Sequence, residues 1–336
     1  MSSPSIALVG CGAIADAFHI PALAKRPDLL RSLILVDKDL ARAEATRSRI
    51  GAAEAVADHR AVMDRVQAAI IATPHHLHSP LTLEFISRGI HVLSEKPLAE
   101  SASDVDKIVS AAKSNRVHVA VNHTRRLFSS CQAIQRAIRG GAIGELKEID
   151  YVLGEPFAWP AATDTYFGKR SGGKGVLFDT GAHIIDLVCW WMGGEPRVVA
   201  YADDSSGGTE AVADVTLEYG GATAHVRLSW LSKLENRFRI TGTKGVIEGG
   251  VYEWSAYDQR IGSGALHKIK TDGHRVFTDF ADMLLKNFTD VIAGTATPIV
   301  AAADVRAAVA TIDACYARRS KLPEPWHDAC ARLTHV

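Results

Sequence analysis

The tightest constraint on the fold is local: the apolar run Ile6-Ala7-Leu8-Val9 leads straight into Gly10-Cys11-Gly12-Ala13-Ile14-Ala15, a glycine turn that opens a helix. In a strand, turn and helix context each small residue has a task. The first glycine permits the tight turn, the second lets the backbone close on a pyrophosphate, and Ala15 lets helix and strand pack closely. Phosphate then rests on free N–H groups at the positive end of the helix. Gly10, Gly12, Ala13 and Ile14 are therefore expected to contact a dinucleotide, and the alternative for this loop alone is a structural glycine turn.

The stretch from residue 5 to about 121 repeats this alternation. Leu33 to Val36, Ala69 to Ala72, His91 to Leu93 and Val117 to Val121 read as short strands rich in β-branched residues. Between them, Leu40 to Ile50 and Ser101 to Lys113 carry helical periodicity, the latter with Ser103 as its expected cap. Alternating elements of this kind predict βαβ units and a parallel sheet covered on both faces. Beyond Asn122 the runs lengthen and alternate in polarity. Thr223 to Trp230 buries every second residue, and Glu145 to Leu153, Val198 to Ala202, Val212 to Tyr219, Arg237 to Thr241 and Gly245 to Glu248 read the same way, with Gly220-Gly221 as a hairpin turn. The expected organisation is a dinucleotide-binding domain over residues 1–121 and a second, largely antiparallel domain over 122–336. Its last helix, about 301–319, is expected to return to the first domain.

Bulk properties narrow the partner. The 38 basic residues balance 38 acidic ones with no Lys/Arg block, which argues against nucleic acid or an anionic membrane surface and for a small molecule. Five scattered cysteines with no C-x-x-C pair argue against a disulfide framework or zinc site, and fit a reducing cytoplasm. No signal peptide or membrane span is apparent, so the expectation is a soluble cytoplasmic protein.

Several residues sit where chemistry is expected. Asp37 ends the second strand, where a carboxylate accepts hydrogen bonds from the adenosine ribose hydroxyls and repels a 2′-phosphate. NAD is therefore favoured, with NADP disfavoured because Lys38 only partly offsets that repulsion. Thr73-Pro74-His75-His76-Leu77-His78 follows the next strand. Three histidines invite a metal reading, but no carboxylate or cysteine completes the set, and a strand-end loop there suits a cofactor better. Ser94-Glu95-Lys96-Pro97 places a lysine at the next strand edge, able to polarise an alcohol or carbonyl oxygen; alone, it would read as a solvated lysine. In Gly172 to Asp186 a glycine loop becomes a helix, and Asp179, His183 and Asp186 fall at i, i+4 and i+7, expected on one side. A metal triad, a buried polar network and a catalytic His/Asp pair all suit that spacing; the cofactor evidence favours the pair, with His183 as general base. Trp159, Tyr166, Lys169 and Arg170 suit either sugar stacking and hydrogen bonding or ordinary loop packing.

Taken in order, the glycine loop, Asp37, Thr73-Pro74 with His78, Glu95-Lys96-Pro97, Asn122 with Arg126, and Asp179 to Asp186 resemble the glucose-fructose oxidoreductase, inositol dehydrogenase and MocA family over nearly the whole chain. The resemblance implies a Rossmann domain followed by an α/β domain on an open, mostly antiparallel sheet, with homodimers or homotetramers formed through that sheet. It implies Lys96, Asp179 and His183 as catalytic residues. Thr73, Pro74, His78, Glu95, Lys96 and Asn122 become cofactor contacts, and Lys96, Arg126, Trp159, Asp179 and His183 substrate contacts. His75 stands where members often carry asparagine, and Arg125 beside Arg126 leaves that register open by one. The implied activity is hydride transfer between nicotinamide and a secondary alcohol or ketone of a sugar, cyclitol or sugar derivative, without metal. Two rival readings are a regulator of similar fold that binds NAD(P) without turnover, and an oxidoreductase that recycles a tightly bound cofactor.

Overall fold

The computed structural model describes residues 3–160, 173–205, 208–272 and 276–323. The described residues form two compact units, one from those within 1–132, 159–162 and 271–310, the other from those within 133–158, 163–270 and 311–336.

The first unit is built on a six-stranded, wholly parallel sheet: β1 Ile6–Val9, β2 Ile34–Val36, β3 Glu54–Val56, β4 Ala68–Ile71, β5 His91–Glu95 and β6 Val119–Asn122, in the order β3-β2-β1-β4-β5-β6. Every residue of β1, β2, β4 and β6 is buried. This is why these strands read as unbroken apolar runs rather than alternating ones. Strand order reverses between β1 and β4, so the carboxyl ends of those neighbours, Gly10 and Thr73, flank the switch point at which such sheets bind ligands. As far as Asn115, the helices of this unit are α1 Ile20–Ala24, α2 Pro27–Leu30, α3 Leu40–Ile50, α4 His78–Ile86 and α5 Ala102–Asn115. The cap of α5 is Ser101, not Ser103: Ser101 has extended backbone and accepts the Asp104 N–H at 3.2 Å, whereas Ser103 already lies inside the helix.

The first helix departs from α geometry. Ala13 and Ile14 start it, Ala15–His19 form a π-helical turn, and α1 follows. Pro21 has no N–H to donate and its ring crowds the preceding turn, and the chain answers by widening: the Ile20 N–H bonds the Ala15 carbonyl, five residues back. Further along the chain, Val300 and Ala302 join this unit's core, with the Val121 N–H donating to the Val300 carbonyl at 3.0 Å.

The second unit carries a nine-stranded sheet of β7 Leu146–Gly154, β8 Arg197–Asp203, β9 Val212–Tyr219, β10 Ala222–Ser229, β11 Arg237–Gly242, β12 Gly245–Gly250, β13 Ala256–Ile261, β14 His267–Lys270 and β15 Ser320–Lys321. Its order is β14-β13-β12-β11-β7-β10-β9-β8-β15. The β7–β10 and β8–β15 pairs are parallel and the others antiparallel. Gly220 and Gly221, both at positive φ, form the two-residue hairpin between Tyr219 and Ala222. The remaining helices are α6 Ser129–Arg139, α7 Thr180–Met192 of the second unit, α8 Phe277–Ile292 of the first, and α9 Arg306–Ala317. Among the described residues no helix is long and apolar enough to cross a membrane.

Candidate active site

In the first unit the expected residues line up along the carboxyl edge of the parallel sheet. At the glycine turn the two glycines differ in kind. A Cβ on Gly10, whose φ is +96°, would lie 2.5 Å from the Ala72 carbonyl oxygen, so this glycine lets β1 and the β4 edge touch. A Cβ on Gly12 would meet nothing within 4 Å. Open space therefore lies over a helix start whose first N–H groups have no intrahelical partner. Nearby on the β4 edge, the Thr73 hydroxyl is buried without a protein hydrogen-bond partner. Buried polar atoms are rarely left so. A cradle that a side chain would fill and an unsatisfied hydroxyl one strand away both fit a dinucleotide.

Asp37 is 8% exposed and well anchored. Its Oδ2 accepts the Cys11 N–H at 2.9 Å, and its Oδ1 accepts the Asp39 N–H at 2.9 Å. The cation beside it is Arg42, 3.4 Å from Oδ2, while Lys38 is exposed. Sequence reasoning missed Arg42, although Asp39 as helix cap places Arg42 in the first turn of α3, facing back toward Asp37. Cys11, buried beside Asp37, is an unreactive thiol, its pKa pushed up to about 12 by burial and then by that carboxylate.

His78 and Glu95 are committed to the protein itself. His78 is 0% exposed, and its Nδ1 and Nε2 each lie 2.8 Å from a carbonyl oxygen, of Pro97 and Thr73 respectively. The ring is a strut between the loops that carry Thr73 and Lys96. Burial pulls its pKa down, against the two carbonyl acceptors and Glu95. Glu95 Oε1 contacts His19 Nε2 at 2.8 Å and accepts from Asn122 Nδ2 at 2.7 Å, while Oε2 accepts the Lys96 N–H at 3.3 Å. Thr124 in turn donates to Asn122 Oδ1 at 2.9 Å. Burial alone would raise the Glu95 carboxyl, but His19, Asn122 and Lys96 together hold it below the ordinary glutamate range. His19 was not legible as a partner because it reaches Glu95 from the π-helical turn. Arg126 is buried and donates to the Asp304 carbonyl at 3.0 Å, whereas Arg125 is only half-buried. Trp159 stands exposed; Tyr166, Lys169 and Arg170 lie outside the described residues.

In the second unit Asp179 occupies the N-cap position of α7. Most of that helix is buried, but Asp179, Thr180, His183 and Trp190 remain half-buried. Asp179 and His183, one turn apart, therefore share the helix's more open stripe. Asp186, on the same sector at i+7, is 1% exposed: 3.6-residue periodicity sets three polar residues on one side of a helix without saying where along it the core begins. Among the described residues no three His, Cys, Asp or Glu side chains are grouped to hold a metal ion.

Comparison with known proteins adds independent findings. Residues 5–123 match the family model described as the oxidoreductase family with NAD-binding Rossmann fold, and residues 131–248 match that of the GFO/IDH/MocA C-terminal domain. The chain is 27% identical over 248 residues to trans-1,2-dihydrobenzene-1,2-diol dehydrogenase of Mus musculus, covering 72% of this chain and 73% of that one. It is 32% identical over 193 residues to inositol 2-dehydrogenase of an Arthrobacter species, covering 56% and 54%. Among solved structures, levoglucosan dehydrogenase in complex with NADH and levoglucosan shares the fold with a TM-score of 0.81 at 20% identity, covering 93% of this chain and 96% of that one.

Proposed function

The chain belongs to the Gfo/Idh/MocA family of NAD(P)-dependent oxidoreductases, and from that premise we propose that it transfers hydride between nicotinamide and a secondary alcohol or ketone of a sugar, cyclitol or related polyol. The observation that carries this reading is the open cradle at Gly12 with the unsatisfied Thr73 hydroxyl beside it on the same sheet edge. The relatives, an inositol dehydrogenase and a dihydrobenzenediol dehydrogenase, support hydroxyls borne on a ring as the substrate class.

In this reading Gly10, Gly12, Ala13 and Ile14 receive the diphosphate, and Asp37 accepts from the adenosine ribose, which favours NAD. Thr73 and Pro74 supply the next contacts, while His78, Glu95 and Asn122 hold the edge loops in place. When bound, the nicotinamide ring supplies the hydride chemistry. The chain's own residues do the rest. Lys96 donates a hydrogen bond to the reacting oxygen and stabilises charge that develops there, and His183 takes the hydroxyl proton. Asp179, one turn before His183, orients it or binds a neighbouring hydroxyl. Trp159 and an arginine of the 125–126 pair are assigned to the substrate.

We assign the second unit to substrate binding and self-association, and the protein to the cytoplasm as a homodimer or homotetramer. Cross-strand pairs such as Arg227 with Asp214 and Arg237 with Asp150 neutralise charge within the sheet, and light scattering of the purified protein tests the assembly. The functional test is spectrophotometric: purified protein with NAD or NADP is offered inositols, aldoses and sugar nucleotides, and the reduced cofactor is followed. Turnover of a ring polyol is expected. Cofactor binding without turnover across the panel would overturn the proposal in favour of an NAD(P)-binding regulator, and copurified cofactor with ping-pong kinetics would indicate a recycling enzyme.

A further inference from the structure

The second unit buries a carboxylate that the proposed chemistry leaves unused. Glu210, just before β9, is 0% exposed. Its Oε1 accepts the Gly175 N–H at 2.8 Å, the Leu177 N–H at 3.2 Å and the Tyr316 hydroxyl at 2.6 Å. Its Oε2 accepts from Arg319 Nη2 at 3.3 Å, and its backbone carbonyl accepts the Val176 N–H at 3.0 Å. Three successive N–H groups, 175 to 177, thus end on one residue. Arg319 extends the grip: it donates to the Gly173 carbonyl at 3.0 Å and pairs with Asp203 at 2.7 Å, which also accepts from the Tyr201 hydroxyl at 2.7 Å.

The pinned segment is the one from which helix α7 hangs. The Asp179 N–H donates to the Gly175 carbonyl at 2.9 Å and the Gly181 N–H to the Val176 carbonyl at 2.8 Å. Displacing residues 175–177 therefore displaces the first turn of α7, and with it Asp179 and His183. Burying a charge is costly unless its lone pairs are used, and here a guanidinium, a phenol and two amides use them. Burial still raises the Glu210 carboxyl's pKa, opposed by the bonds from Tyr316, Gly175 and Leu177.

We propose that Glu210 is a positioning residue for Asp179 and His183: it fastens the 173–177 segment so that α7 starts in one place. The inference rests on the assignment of that pair under the proposed function, but its test does not require a substrate. Glu210→Gln keeps the volume and removes the charge: its single oxygen accepts either from Gly175, Leu177 and Tyr316 or from Arg319, not both, and every bond that it keeps loses its charge assistance. Hydrogen exchange at the Gly175 and Leu177 amides should speed up at least about tenfold, the loss expected for one charge-assisted bond. The His183 ring signals in a two-dimensional NMR spectrum should move, while those of exposed His225 and His267 in the same unit stay put. Tyr316→Phe, which removes one donor and spares the carboxylate, should move the His183 signals in the same way by less, and serves alone if Glu210→Gln does not fold. Faster exchange with unmoved His183 signals in a folded variant would reduce Glu210 to a fold residue and overturn the proposal. Full turnover by His183→Ala, measured separately, would instead count against the assigned pair.

Discussion

Replacing Asp37 by asparagine separates an anchor from a ligand. The wild-type carboxylate accepts two backbone N–H groups on different oxygens, the buried Cys11 on Oδ2 and the part-buried Asp39 on Oδ1, each at 2.9 Å. An asparagine has one oxygen, so whichever way the amide turns, one of those N–H groups faces an NH₂. Leaving the buried Cys11 donor unmade costs about 1–3 kcal/mol, and leaving the Asp39 donor unmade costs less, since water can reach it. Losing the Arg42 pair adds little, roughly 0–1 kcal/mol, because the guanidinium is partly exposed. The thermal midpoint should therefore fall modestly. Cofactor binding should change more specifically. A ribose hydroxyl bonded to a charged acceptor is worth about 1.5–3 kcal/mol, so NAD affinity should fall about ten- to hundredfold. NADP should lose nothing and gain, since a negative charge that repels its 2′-phosphate is gone and Arg42 is released. Fluorescence or calorimetric titration with both cofactors, beside a melting curve, reads all three quantities. A lowered midpoint with unchanged affinities would show that Asp37 only pins the glycine loop, and the NAD preference would lose its basis.

Three further outcomes follow from the same geometry. Gly10→Ala should destabilise the first unit by several kcal/mol, since a Cβ there meets the Ala72 carbonyl at an unfavourable φ; Gly12→Ala should melt like the wild type yet bind NAD weakly, and equal effects in the two variants would refute the distinction. His183→Ala should lower turnover by roughly 10²- to 10⁴-fold while NAD affinity holds, and unchanged turnover removes His183 from the chemistry. Glu95 titrates below its ordinary range in the folded protein, so its contribution is complete above the unfolded pKa and is lost as pH falls through the lower folded value. Wild type should therefore lose stability more steeply than Glu95→Gln below about pH 4.5, and identical slopes in melts between about pH 5 and 3 would contradict the network at Glu95.

Much of the edge of the parallel sheet was legible residue by residue. Gly10, Asp37, Thr73, Lys96 and Asn122 could be placed because each follows or ends a short buried run, and a buried parallel strand announces itself by composition alone. Short or polar strands were not legible: Glu54–Val56, Ala256–Ile261, His267–Lys270 and Ser320–Lys321 have too few residues or too little alternation to stand out, and gain strand geometry from their neighbours. The different burial of Asp179, His183 and Asp186 on α7 was not legible for a related reason. Spacing fixes angles around a helix, whereas burial depends on what packs against each angle.

Local rules thus determined the succession of elements, the dinucleotide turn and the polar residues at strand ends, because each is a matter of a few neighbouring residues. Tertiary structure alone decided who holds those residues. His19 reaches Glu95 across 76 positions, from a helix that Pro21 forces into a π turn. Arg42 rather than Lys38 stands by Asp37. Gly175 and Tyr316 meet on Glu210 across 35 and 106 positions. Hydrogen bonds at such separations carry no sequence period; they exist only once the packing of apolar faces has brought the chain's distant segments together.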